Sequence, residues 1–132
     1  ASGVDFCLDV HGDEELPYNF LSGAEGIPGY ENTRIAEFCE IFAAAYERAN
    51  PDLQREFGYS VSAPGQANLT MCTNAVAHRF QCAAYTLEMP FKDNANAPDP
   101  IFGWSPERCA RLGASGLDAL CRLAETLRDA TA

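Results

Sequence analysis

Hydrophobic residues mark out six segments along the chain. Val4 to Val10 alternates between apolar and polar positions well enough to predict a strand, and its apolar content predicts burial on both faces. It ends at His11-Gly12-Asp13-Glu14-Glu15. Leu16 to Gly29, rich in Pro, Gly and aromatic residues, predicts a structured loop in which Tyr18 and Phe20 could form a short strand. From Thr33 to Ala49 the residues Ile35, Phe38, Cys39, Phe42 and Tyr46 recur at helical spacing, with Asn32 or Thr33 as the N-cap and Asn50-Pro51 as the stop. Asp52 to Ala67 carries the breakers Gly58, Pro64 and Gly65. Asn68 to Phe80 predicts a second helix packed on a sheet. Cys82 to Met89 predicts a second buried strand, closed by Pro90. After a loop from Asp93 to Gly103, Ser105-Pro106-Glu107 opens a final helix whose stripe of Leu112, Leu117, Leu120, Leu123 and Leu127 runs to Arg128. Strand, helix, helix, strand, helix is the signature of α/β layers. No linker or repeat divides the 132 residues, so one domain body is expected.

Composition narrows the function. Nineteen acidic against nine basic residues give a net charge of −10. Phosphate binding needs clustered Lys and Arg, so nucleic acid is not an expected partner. No basic amphipathic stretch or long apolar run points to a membrane. The acidity also serves solubility and by itself names no substrate. None of the six cysteines forms a C-x-x-C pair. They read as free thiols of a reducing, cytoplasmic setting. The sequence opens without Met directly into a strand, as a piece of a longer chain would.

Two histidines occur, His11 and His78. His11 follows a strand, beside three carboxylates, where open α/β sheets place ligand chemistry. A catalytic zinc takes three protein ligands and leaves a position for water. His78 could complete such a set only by turning from its helix into the strand-end crevice; otherwise it is an ordinary half-buried histidine. Glu88 lies in the apolar run Tyr85 to Phe91. A carboxylate there either pairs with Arg79 or Lys92 or has its pKa raised toward that of a general base. No G-x-S-x-G, G-x-G-x-x-G or P-loop pattern is present, and a Cys72–His78 pair would face poorly. Metal-assisted hydrolysis is the chemistry left.

Two stretches add a resemblance. Leu8-Asp9-Val10-His11-Gly12-Asp13-Glu14, followed by Leu16-Pro17-Tyr18, resembles the segment of M14 metallocarboxypeptidases that carries the third zinc ligand. Tyr85-Thr86-Leu87-Glu88-Met89-Pro90-Phe91-Lys92-Asp93-Asn94 resembles the strand bearing their catalytic glutamate. The segments 63–70 and 76–80 look like the bacterial branch of the cytosolic carboxypeptidase subfamily. The resemblance runs from Val4 to about Leu127.

It implies a partial α/β/α sandwich with a mixed, mainly parallel central sheet. Residues 1–132 would be the C-terminal portion of one catalytic domain. It also implies a zinc cofactor, with His11 as ligand and Glu88 as general base. The substrate would be a peptide or protein C-terminus. The remaining partner would be the N-terminal half of the same domain, which supplies an upstream H-x-x-E motif that this sequence lacks; the His11-to-Glu14 spacing belongs to the third-ligand segment instead. Tyr59 is a candidate for the active-site tyrosine by position. Arg79 would recognise acidic C-terminal side chains, the preference associated with the subfamily, if it reached the pocket; a packing role is the alternative. Two other readings of the same scaffold stand beside this one: a non-catalytic binding module, and a zinc amidohydrolase acting on N-acyl amino acids.

Overall fold

The computed structural model describes residues 3–32 and 34–131, without the side chains of residues 32 and 128–131. The elements run β1 (Phe6–Asp13), β2 (Phe20–Gly23), a 3-10 turn (Tyr30–Asn32), α1 (Ile35–Ala49), α2 (Cys72–Phe80), β3 (Ala83–Pro90) and α3 (Pro106–Thr131). The strands form one mixed sheet in the order β1-β3-β2. β1 pairs parallel to β3, and β2 antiparallel to it.

The boundaries correct several expectations. β1 starts two residues later than the alternation suggests and continues through His11 to Asp13. It is an edge strand, so it is half-buried rather than covered on both faces: Val10 is 56% exposed. β3 takes the central place and is buried nearly throughout, as a strand with neighbours on both sides must be. Phe20 opens β2, and Tyr18 stays outside it. In α1 the helix begins at Ile35 after Arg34, which offers no side-chain cap; the N-cap expected at Thr33 lies outside the described residues. Asn68 caps a turn before α2, accepting the Thr70 N–H at 3.0 Å, and the helix itself starts at Cys72. Ser105 accepts the Arg108 N–H at 3.3 Å, and α3 then runs to Thr131, past the expected end at Arg128.

Alternation sorts the sheet into two faces. Phe6, Leu8, Tyr85 and Leu87 point to α1 and α3. Phe42 is the hub there, with ring centroids 4.6 Å from Phe6 and 5.9 Å from Tyr85. Tyr46 donates its hydroxyl to the Leu112 carbonyl at 2.9 Å. The two helices approach closely at Gly116, where a Cβ would lie 3.0 Å from the Tyr46 hydroxyl oxygen. The opposite face carries Cys7, Asp9, His11, Thr86 and Glu88, and α2 covers part of it through a 2.6 Å hydrogen bond between Thr73 and Thr86. Layers of α2, sheet, and α1 with α3 make the α/β/α sandwich.

A buried ionic group locks the loops below. Arg108 is 7% exposed. It reaches Asp52 at 2.6 Å and Asp93 at 3.3 Å, donates to the carbonyls of Ala97 and Gly103, and lies 4.9 Å from the Trp104 ring centre. Gly103 (φ +61°) leaves room for this turn, since a Cβ would stand 2.3 Å from the Lys92 carbonyl oxygen. All six cysteines are free thiols. No helix among the described residues is long and apolar enough to cross a membrane.

Candidate active site

Strand pairing sets His11 and Glu88 side by side. They are register partners of the parallel β1–β3 ladder, and paired residues of neighbouring strands share a face about 5 Å apart. Phe20 of β2 is Glu88's partner on the other side. A row of imidazole, carboxylate and aromatic ring thus crosses the sheet near the C-terminal ends of β1 and β3.

Glu88 is 7% exposed and takes part in no ion pair among the described residues. Neither Arg79 nor Lys92 reaches it. Its pKa is raised, first by desolvation; His11 pulls it back, while Asp13 and Asp9 push it further up. Such a carboxylate takes up a proton more readily than an exposed one.

His11 is half exposed, and its Nε2 lies 3.1 Å from Asp9 Oδ1. The two residues are two apart on one strand, so they share its face. A neutral imidazole that donates Nε2–H to Asp9 keeps the Nδ1 lone pair open for an electrophile.

Asp13 is buried. Although burial raises its pKa, the backbone N–H groups of Glu15 and Leu16 and the Tyr59 hydroxyl outweigh that and hold it below the usual carboxylate range. Tyr59 stands at the rim, 44% exposed, edge-on to Phe20 with centroids 4.9 Å apart. Its phenol pKa is raised by partial desolvation, then by the charge on Glu88 and the hydrogen bond to Asp13. His11, Glu88 and Tyr59 therefore come together.

Arg79 and His78 do not join them. α2 runs antiparallel to β3, with Thr73 beside Thr86 and the last turn leading into Ala83. Arg79 in that turn is exposed over the Phe80 ring, and His78 is half-buried next to it. About 17 Å of strand separates that level from Glu88. The acidic-pocket role expected of Arg79 has no geometry here. Sequence reasoning passed over Asp9, although its i, i−2 relation to His11 would have placed both on one face.

No protein-family model matches the chain. An uncharacterized protein of Zymomonas mobilis is 44% identical over 126 residues, covering 96% of this chain and 33% of that protein. Among solved structures, a candidate carboxypeptidase A of Shewanella denitrificans superposes with a TM-score of 0.90 at 52% identity, over 94% of this chain and 33% of its own. A metallo-carboxypeptidase of Pseudomonas aeruginosa, in complex with (2-guanidinoethylmercapto)succinic acid, gives 0.85 at 43% identity, over 89% of this chain and 31% of its own. A Burkholderia cenocepacia metallo-carboxypeptidase gives 0.87 at 42% identity, over 94% and 32%.

Over nearly its whole length the chain is similar in sequence and fold to one stretch of metallocarboxypeptidases. It spans about a third of the length of these relatives. The family implies a metal, and the donor set bears on how much of its site this third supplies. His11, with one nitrogen held by Asp9 and the other open, suits one ligand position. Among the described residues no group of three or more His, Cys, Asp or Glu side chains is disposed to hold an ion. The chain thus offers one imidazole and a nearby buried carboxylate, not a closed ligand cage among the described residues.

Proposed function

We propose that this chain carries one metal-ligand histidine, His11, and the proton-transfer carboxylate, Glu88, of a zinc carboxypeptidase that hydrolyses the last peptide bond of a peptide or protein. The reading rests on one observation: the two side chains are register partners on one face, and among the described residues no Lys or Arg pairs with the buried carboxylate. Zinc, when bound, supplies Lewis-acid activation of the carbonyl and of water. Glu88 receives a proton as water adds to the scissile carbonyl carbon and returns it to the departing amine nitrogen as the C–N bond breaks. A raised pKa suits both halves of that task. Asp9 orients the His11 ring, and Tyr59, held by Asp13, presents its hydroxyl toward the reacting end of the substrate. The Pseudomonas relative's ligand joins a guanidino group to succinic acid. A similar pairing of a terminal carboxylate with a side-chain arm would suit this site.

The other ligands are proposed to come from polypeptide corresponding to the two thirds of the relatives that the chain does not span, the chain itself being the C-terminal portion of the domain. Two surfaces would receive it. Among the described residues, β1 has no strand on its outer edge. Between the sheet and α3 lies an apolar groove of about 420 Å³, lined by Leu8, Val10, Met89, Gly113 and Leu117 among others. Leu117 is 65% exposed and Val10 56%, an exposure that a docked strand or helix would relieve.

In the protein joined to that remainder, metal analysis should find one zinc. Glu88→Gln should keep the zinc and lower kcat by a factor of about 10² to 10⁴. Full activity of Glu88→Gln would refute the proton-transfer role. Zinc retained unchanged after His11→Ala would refute the ligand role.

A further inference from the structure

Six thiols are free in this chain, and two of them meet. Cys7 lies on β1, on the sheet face that also carries Asp9, His11 and Thr86. α2 packs across that face and touches both β1 and β3. The 2.6 Å hydrogen bond between Thr73 and Thr86 fixes its N-terminal end there. Thr86 is the register partner of Asp9, two residues along β1 from Cys7. Cys72, the first residue of α2, is thereby brought over β1, and its thiol lies within hydrogen-bonding reach of the Cys7 thiol. The two differ in access. Cys72 is exposed, whereas Cys7 is half-buried between sheet and helix. Burial pushes the Cys7 thiol up, and Cys72 and Asp9 beside it push it further. A reagent from solvent therefore meets Cys72 first, and Cys7 is placed to react with whatever Cys72 has taken up. Cys82, on the same sheet face, is buried under α2 with its thiol turned to the Val76 carbonyl at 4.0 Å.

We propose that Cys7 and Cys72 form a reversible redox pair, with Cys72 the attacking thiol and Cys7 the resolving one, closed by a small-molecule disulfide of the glutathione class. The Cys72 thiol gives its proton to solvent, and its sulfur attacks one sulfur of the oxidant. The oxidant's S–S bond breaks, one thiolate leaves and takes up a proton, and a mixed disulfide remains on Cys72. Cys7 then loses its proton, attacks Cys72 Sγ and expels the second small thiol. Two protein thiols are oxidised while one oxidant disulfide is reduced to two thiols, and excess small thiol reverses both steps. The bond closes a loop of about 65 residues, running through β1, β2 and α1 to the start of α2. A loop of that length restricts the unfolded chain strongly, so the closed form resists unfolding better than the open one. The link fastens α2 to the strand that carries His11, four residues below it, and leaves the reacting end of the site untouched.

The test takes the full-length protein containing this sequence, reduced and then freed of reductant. It is incubated with oxidised glutathione at graded ratios to reduced glutathione, quenched in acid and mapped by proteolysis and mass spectrometry. Expected are Cys7 and Cys72 peptides joined and lighter by two hydrogens, with no glutathione on Cys72. Cys121 supplies the contrast: it is exposed on α3, about 18 Å along that helix from Cys109, and should keep glutathione as a mixed disulfide. In Cys7→Ser the glutathione should stay on Cys72, and in Cys72→Ser the Cys7 thiol should stay reduced. Oxidised wild type should melt about 5 °C above the reduced protein, a difference that dithiothreitol or Cys7→Ser abolishes. Melts of the reduced serine variants report whether their fold is intact. Glutathione retained on wild-type Cys72 as on Cys121, Cys72 left unmodified at every ratio, or Cys7 joined to Cys82 instead overturns the pair. An oxidised wild type that melts no higher than the reduced one overturns the fastening of α2.

Discussion

Two acid-rich regions of this molecule handle buried charge in opposite ways. Around Arg108, the carboxylates of Asp52 and Asp93 meet a guanidinium that also reaches two carbonyl oxygens. Around Glu88, three carboxylates gather near one imidazole, and that imidazole is already engaged by Asp9. The first arrangement leaves little for a ligand to gain, because the charges are answered within the chain. In the second, a desolvated carboxylate stays uncompensated, which is unfavourable for folding and favourable for proton transfer or for a nearby cation. Satisfied charge holds loops together; unsatisfied charge marks where a reacting group belongs.

Breaking the satisfied group should have the largest effect. Arg108→Ala strands two aspartates and should destabilise the fold by about 3–5 kcal/mol in urea melts. Replacing Arg108 by Met together with Asp52→Asn and Asp93→Asn should lose much less, since no charge is left unpaired. At the unsatisfied site the sign reverses. Glu88 has a folded pKa above the ordinary value near 4.3. Its charged form therefore destabilises the fold as pH rises through that folded pKa. Glu88→Gln should be more stable than wild type by about 1–2 kcal/mol at pH 8, and the gain should vanish below about pH 4.

Asp13 titrates the other way. Its folded pKa is lowered, so its stabilisation is present above the ordinary value near 3.9 and is lost as pH falls through the folded one. Asp13→Asn should lose about 1 kcal/mol at pH 7 and converge on wild type in strong acid. The smallest change, Tyr46→Phe, removes one neutral buried hydrogen bond to Leu112. It should lose about 1 kcal/mol or less with no pH dependence between 4 and 8, giving the flat baseline for the other profiles.

Much of this was legible in the sequence because period and burial carried it. The helical stripe from Leu112 to Leu127 and the apolar run before Glu88 identified α3 and β3, and a carboxylate inside such a run stands out by chemistry alone. What remained hidden was set by pairing. Whether β1 is central or an edge strand depends on what lies beside it, and Val4 to Val10 reads the same either way. That His11 faces Glu88 is a fact of register between strands some seventy residues apart, which no local pattern encodes. Arg79 misled for the same reason: nearness in sequence to the Glu88 strand puts it at that strand's far end.

The outer rim of β1 also bears on how this polypeptide behaves by itself. Eight residues of open backbone flanked by exposed Val10 and Leu117 form a template for another copy. What opposes such stacking is mutual repulsion between chains of net charge −10. Added salt shortens the reach of that repulsion to a few ångströms. Light scattering of the isolated polypeptide should therefore climb with ionic strength, the reverse of a protein kept apart from its neighbours by a sealed, fully paired sheet.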